Sequence, residues 1–358
     1  MAIQQYATQD ERVGIWRARI LSHAQPKIAL GKVGINDEWR KNQGKTVKYR
    51  RWLPKGASAA QPNRFFLDGT GDRSAAYVND HLTSEGVTPN AESISAQDIT
   101  STINQYSVLY GYTDQTFDFY EDDVPAAMQE LAGERVGLVN EMALFGILKG
   151  CTNKYYGGTG TSRATVNGVI TLNGLREIAR GLHNNHAKPT TRMERMIKAS
   201  GNYGTAPVKA CFPVFLHTDL CPDLEDLPTW VPVEEYGDPS MAVDCEVGKA
   251  GDFRFIATPE LIAVQDSGAA IAGAVPALKS TTGTYADVYQ VIVGSQNAWG
   301  HLGLNLGKGS VSGMPPGQKD KNDPLGQKGY VGAKWYYHAV ILNDLQMAVY
   351  EVGTRDLT

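Results

Sequence analysis

The chain is 358 residues long, 42% hydrophobic and 20% charged, with a formal net charge of −4. That length exceeds what one hydrophobic core usually serves, so two lobes with ample apolar content are expected. No run of 18 apolar residues and no basic-then-apolar leader is present, which speaks against a spanning helix or a secretory signal and leads us to expect cytoplasmic synthesis and assembly with Met1 retained.

Charge is spread unevenly. Residues 1–55 carry 12 Lys and Arg against 4 Asp and Glu, whereas the remainder has 22 against 34. A basic leading segment beside an acidic body fits contacts between sister chains, with nucleic acid as the competing partner. Trp39, Tyr49 and Trp52 interleave with Arg40, Lys41, Lys48, Arg50 and Arg51, as stacking platforms for nucleic acid do, but no recognition-motif spacing accompanies them.

Thr46 to Leu53 (TVKYRRWL) reads as a strand stopped by Pro54. The stretch Leu82 to Asp114 is too long for a connection, yet it ends with Tyr106, Val108, Tyr110 and Tyr112 at a period of two. The two strands are expected to pair as a long arm whose tip holds residues 57–86, with a partner chain covering the aromatic face and sheet packing rather than ligand stacking as its use. Such an arm buries little against its own domain. Its ordering cost, roughly 1 to 2 kcal/mol of backbone entropy per residue, is then best offset by other chains.

A helix is expected from the acidic pair Asp122 and Asp123, with Pro125 in its first turn, to about Lys149, where Gly150 stops it. Met128, Leu131, Leu138, Met142 and Phe145 would share one face, and Gly133, Gly137 and Gly146 would need close packing to compensate their low propensity. Asp118, Glu121, Asp122 and Asp123 then oppose the helix dipole rather than form an acid–base pair or a cation site. After a glycine-rich turn (YYGGTGTSR), a shorter helix from about Thr171 presents Leu172, Leu175, Ile178 and Leu182. From Pro207 short strands and turns read as a second, α+β lobe, with a boundary near Gly201 to Ala206. Gly313 to Gly329 reads as a long loop, and Ala333 to Val352 as two further strands that return to the first lobe.

Little of the sequence carries catalytic chemistry. GKT at Gly44 to Thr46 lacks the upstream glycine of a phosphate-binding loop, where Trp39 stands, and Gly157, Gly158 and Gly160 are read as a turn rather than a dinucleotide fingerprint. His183 and His186 could share a metal but have no third ligand nearby, so capping the helix's negative end is the better use. His217, Asp219 and Cys221 define the one enzymatic alternative, a soluble two-lobe hydrolase. The four cysteines, Cys151, Cys211, Cys221 and Cys245, form no CxxC pair and are expected to be reduced and mostly buried.

In order along the chain, LTSEGVTPN with TINQYSVLYGYTD, LHTDLCPDL at Leu216, CEVGKAGDFRFIA at Cys245, VIVGSQNAWG at Val291 and DPLGQKGYVGAKWYYHAVILNDLQMAVYE at Asp323 resemble segments of tailed-bacteriophage major capsid proteins of the Hong Kong 97-like fold, in the branch typified by phage N-four. The resemblance covers roughly residues 45 to 352. It implies an α+β capsid fold with an amino-terminal arm (1–45), an extended loop and flanking strands (46–114), a peripheral domain with a long spine helix (115–206), a mainly axial domain (207–330) and carboxyl-terminal strands returning to the core (331–358). It further implies a non-enzymatic shell subunit that forms hexamers and pentamers and is located in the virion, with no cofactor or metal and no membrane partner. Packaged DNA would be touched only non-specifically, and a cement or decoration protein, a scaffolding protein and a portal are the other partners implied. Lys55 lies near the loop, but no motif licenses the Lys–Asn crosslink known in some such capsids. The insert Phe65 to His81 is longer than the pattern. Arg50, Arg51, Trp52, Phe65, Phe66, Tyr110 and Tyr112 are the residues expected at intersubunit contacts.

Overall fold

The computed structural model describes residues 27–38, 42, 44–54, 57–63, 78–79, 81–88, 91–120, 123–196, 203–236, 243–271, 278–303, 310–319 and 323–357. Part of the expected amino-terminal arm belongs to the body. Ala29 and Leu30 are fully buried, Val33 is 4% exposed, and a 3-10 turn (Leu30–Lys32) leads into strand β1 (Ile35–Glu38). The first 26 residues lie outside the described ones.

Strand β2 (Thr46–Trp52) pairs antiparallel with β3 (Ala96–Thr102), from Thr46 opposite Thr102 to Trp52 opposite Ala96. This corrects the expected pairing of β2 with the aromatic strand. The aromatic strand is β4 (Asn104–Thr113), which follows β3 after Ile103. A two-stranded ribbon is marginal on its own. Here Val47 and Ile103 anchor its base by packing with Leu302 and Val340.

Thr113 caps a short helix, α1 (Asp114–Phe119), and Asp123 caps the long α2 (Val124–Leu148) by accepting the Ala126 N–H at 3.1 Å, with Pro125 in the first turn. Its 25 residues give a rod of about 37 Å. The stripe expected to face the core is mostly half-buried; of its members only Phe145 is buried, and Leu131 is 42% exposed. Buried positions are instead Ala132, Val136, Glu141, Leu144 and Leu148, distributed around the rod because neighbours cover it on more than one side. Gly137 is closely packed, against Ile28, whereas Gly133 and Gly146 meet open space.

Beyond α2 come β5 (Lys154–Tyr156) and the helix α3 (Leu172–Asn184), capped by Thr171 and burying Leu175, Ile178 and Leu182 as expected. The hairpin β6 (Thr190–Met196) and β7 (Tyr203–His217) follows. The expected lobe boundary at 201–206 therefore falls partly within β7. After α4 (Cys221–Glu225) the chain forms β8 (Trp230–Pro232), β9 (Glu246–Ala250), β10 (Phe253–Thr258), β11 (Tyr289–Val293), β12 (Trp299–Gly303), β13 (Ser310–Met314), β14 (Lys328–Ile341) and β15 (Ala348–Val352).

Among the described residues these strands form three sheets. An eight-stranded mixed sheet has the order β5-β15-β11-β7-β10-β9-β8 with β6 on β7; a five-stranded sheet has β1-β12-β14-β13 with β4 on β14; the third is the β2–β3 ribbon. Strands β10, β11 and β15 are buried throughout and mostly apolar, with Arg254, Thr258, Gln290 and Glu351 as their buried polar members. Period-two alternation divides the core across the large sheet: Val214, Val291, Val293 and Tyr350 pack with α3, whereas Phe215, Ile292 and Val349 pack toward α2. The two closing strands separate, β14 to the five-stranded sheet and β15 to the eight-stranded one.

Candidate assembly surfaces

The ribbon alternates. Val47, Tyr49 and Arg51 turn toward the body, while Lys48, Arg50 and Trp52 turn outward. Arg50 holds Asp98 across the strand pair in a bidentate bridge at 2.7 and 2.9 Å, so each group favours the other's charged form. Both remain largely in solvent, and a rim pair of this kind contributes little to folding. Arg51 donates to Gln97 at 2.5 Å; its Nε is buried without a partner among the described residues, and burial lowers the guanidinium pKa. Trp52 is 62% exposed.

Four further apolar side chains among the described residues of the excursion between the ribbon strands are open to solvent: Val78, Leu82, Val87 and Ile94. Asn63 of the excursion and Asn343 of the body exchange side-chain amide bonds at 3.1 and 2.7 Å. A cleft of about 560 Å³ lined by Arg51, Ala59, Pro62, Gln97, Leu342 and Asp344 runs between ribbon and body. Phe65 and Phe66, expected at contacts, lie outside the described residues, as does Lys55.

The aromatic strand gives a different answer from the expected one. Tyr106 stacks on Trp335 at 5.9 Å, and Trp335 donates to Asn140 of α2 at 2.8 Å. Tyr110 is half-buried, with Arg135 of α2 over its ring and donating to its hydroxyl. Tyr112 is 2% exposed, packed on Gly329 across the strand pair and near Phe117. This face is enclosed by its own chain at Tyr112 and half-covered at Tyr106, Val108 and Tyr110. Tyr112 is thus a correction to the expected contact residues, because its ring is already enclosed.

A second apolar surface was not foreseen from the sequence. Phe117 and Phe119 on α1 are 52% and 71% exposed, beside the turn that carries Leu325 at 72%; Asp114 N–H donates to Gln327 O at 2.9 Å and joins the two segments. The signal was the spacing of two phenylalanines in DQTFDF.

The His217 region is held together by contacts within the chain. His217 Nδ1 accepts the Asp219 N–H at 3.0 Å, and Asp219 accepts from Lys279 and Tyr289, each at 2.6 Å. Burial lowers the His217 pKa and raises that of the Cys221 thiol, the wrong direction for a thiolate nucleophile. Cys151 and Cys211 are buried, Cys221 and Cys245 half-buried, and all four are free. His183 lies edge-on to Phe212 at 5.3 Å, and no group of three metal-ligating side chains occurs among the described residues. Gly158 and Gly168 meet backbone to backbone in the glycine turn, which follows β5 and precedes a 3-10 turn. No described helix is long and apolar enough to cross a membrane.

No family model matches the chain. The major capsid protein of Pseudomonas phage KPP21 is 23% identical over 270 residues, covering 71% of this chain and 67% of that protein. Among solved structures, the capsid of Ralstonia phage GP4 aligns at a TM-score of 0.64 with 11% identity over 99% of this chain and 97% of its own. The capsid asymmetric unit of cyanophage Pam1 aligns at 0.60 with 12% identity over 98% of each. The chain shares its fold with phage capsid proteins. Neither the geometry nor the relatives support the hydrolase alternative near His217.

Proposed function

We propose that the chain is the major capsid protein of a tailed phage, a shell subunit of the Hong Kong 97-like type in the phage N-four-like branch. The observation that carries this reading is a capsid-like fold, matched over 99% of the chain, whose ribbon and excursion leave Trp52 and Ile94 at 62% and 76% exposure. Large apolar side chains on a thin projecting element have no role in an isolated subunit, and a neighbour that covers them supplies the missing burial.

In this reading residues 46–114 are the extended loop with its strands, α2 is the spine of a peripheral domain within 115–206, and 207–330 is mainly axial, with residues 1–45 leading and 331–358 closing the core. Heterologous contacts between copies build hexamers and pentamers, which close into a shell around packaged DNA. Arg50, Arg51, Trp52 and Tyr110 are the proposed contact residues among the described ones, with Phe65 and Phe66 beyond them. The half-buried stripe Met128, Leu138 and Met142 of α2 offers a neighbour an apolar track. Many modest contacts, repeated, make the shell stable by avidity. Assembly takes place in the host cytoplasm, with scaffolding, portal or decoration proteins as further partners.

Sedimentation of the purified chain tests the reading. Megadalton particles are expected. A discrete small oligomer at all concentrations would overturn it.

A further inference from the structure

The first described segment is held by contacts that its own residues cannot supply. The 3-10 turn at Leu30 has no side-chain cap from within the segment. Its Ala29 and Leu30 N–H groups instead donate to Glu141, a carboxylate 2% exposed in the middle of α2, each at 2.8 Å. One helical turn earlier, Gly137 leaves the space that Ile28 fills; a Cβ there would lie 2.4 Å from Ile28 Cδ1. Gly137 and Glu141 are four residues apart and so share a face of the helix. Further bonds fix both ends: Thr258 donates to Lys27 O at 2.7 Å, Trp299 donates to Val33 O at 2.9 Å, His301 meets the same oxygen at 3.1 Å, and Lys32 reaches Asp244 O.

The segment continues directly into β1, where Asp37 accepts the Tyr49 hydroxyl of the ribbon at 3.0 Å. Seating on α2 is therefore connected through one short strand to the ribbon that carries Trp52.

We propose that residues 27–34 form a latch, seated in the notch that Gly137 and Glu141 make in the long helix, and that the seated latch sets the ribbon in the position a second copy of the chain accepts during shell assembly. The proposal rests on the capsid reading for its assembly half alone. Glu141 is a positioning residue. What it must provide is an acceptor oxygen, so Glu141→Gln retains the latch, whereas Glu141→Leu fills the space but leaves two buried N–H groups unpaired.

The test is amide hydrogen exchange on the full chain, read at Ala29 and Leu30 against Leu144 and Leu148 of the helix, together with particle yield. Wild type and Glu141→Gln are expected to protect Ala29 and Leu30 and to give particles. Glu141→Leu is expected to exchange about tenfold faster at those two amides alone and to lose most of its particles. Unchanged exchange in Glu141→Leu, or full particle yield after release, overturns the proposal. If Glu141→Leu also loses protection at Leu144 and Leu148, Ile28→Ala decides, since Ile28 is 41% exposed and its truncation leaves no buried polar group unpaired: faster exchange at Ala29 and Leu30 with reduced yield supports the latch, and wild-type behaviour refutes it. Absence of particles from the wild type would sink the shell reading and the assembly half with it, while the exchange comparison still judges the latch.

Discussion

Two buried carboxylates in this chain respond to pH in opposite directions. Glu351 is buried in β15, where burial alone would raise its pKa, but hydrogen bonds from Arg163 and Gln290 and the charges of Arg163 and Lys154 prevail and hold it below the usual carboxylate range. Its folded pKa lies below the unfolded one, so its contribution is present above the ordinary glutamate range and is lost as pH falls through the depressed value. Glu141 is raised by burial despite its backbone donors, so its contribution is full below the ordinary range and lost as pH rises through the raised value. Acid titration of unfolding should therefore show a steeper loss for wild type than for Glu351→Gln, and no such flattening for Glu141→Gln. At neutral pH, Glu351→Ala is expected to cost about 3 kcal/mol in denaturant unfolding, the lower end for breaking a buried pair because Arg163 can still reach water. A different residue-scale effect operates at Gly329, where an added Cβ would lie 2.4 Å from the enclosed Tyr112 ring. Gly329→Ala should lower stability by about 1 to 3 kcal/mol in the same assay.

At the scale of elements, residues 27–38 belong to the body, and their loss is the informative one. Removing 1–38 deletes buried Ala29, Leu30 and Val33 and strand β1, which lies parallel on β12 from Ile35 opposite Gly300, and should destabilise the body by about 2 to 5 kcal/mol in thermal unfolding. Nothing local in the sequence marks Leu30 or Val33 as core; they are held by Glu141 and Trp299, more than 100 residues away. Signals that are local were legible. Asp123 with Pro125 fixed the start of α2, Thr171 that of α3, and the period-two tyrosines declared β4. Partners were not legible, since β4 pairs with β14 from Asn104 opposite Tyr337 to Thr113 opposite Lys328, and the alternation of one strand does not name its neighbour. The face of α2 was misjudged for a related reason. A helix covered on several sides has no single stripe, so the Met and Leu residues at helical spacing marked a half-buried side rather than the core.

Across the whole molecule, the eight-stranded sheet carries α3 on one face and α2 toward the other, and among the described residues Trp52, Val78, Leu82, Val87 and Ile94 form a run of exposed apolar side chains along the ribbon and its excursion, with Phe117 and Phe119 on α1 and further ones such as Ile262 and Leu357 on the body. Trp52→Ala should consequently leave unfolding within about 0.5 kcal/mol of wild type, as expected for an exposed site, while sharply reducing particle yield. The capsid-like fold was legible in five ordered segments of sequence, whereas the exposure of single residues was not: Trp52 is open to solvent and Tyr112 is enclosed. The most direct measurement is an electron cryo-microscopy reconstruction of the particles formed by the full chain. A closed icosahedral shell is expected, with each β2–β3 ribbon laid against a neighbouring copy so that Trp52 is covered. Particles whose ribbons stay in solvent, or no shell at all, would contradict the account.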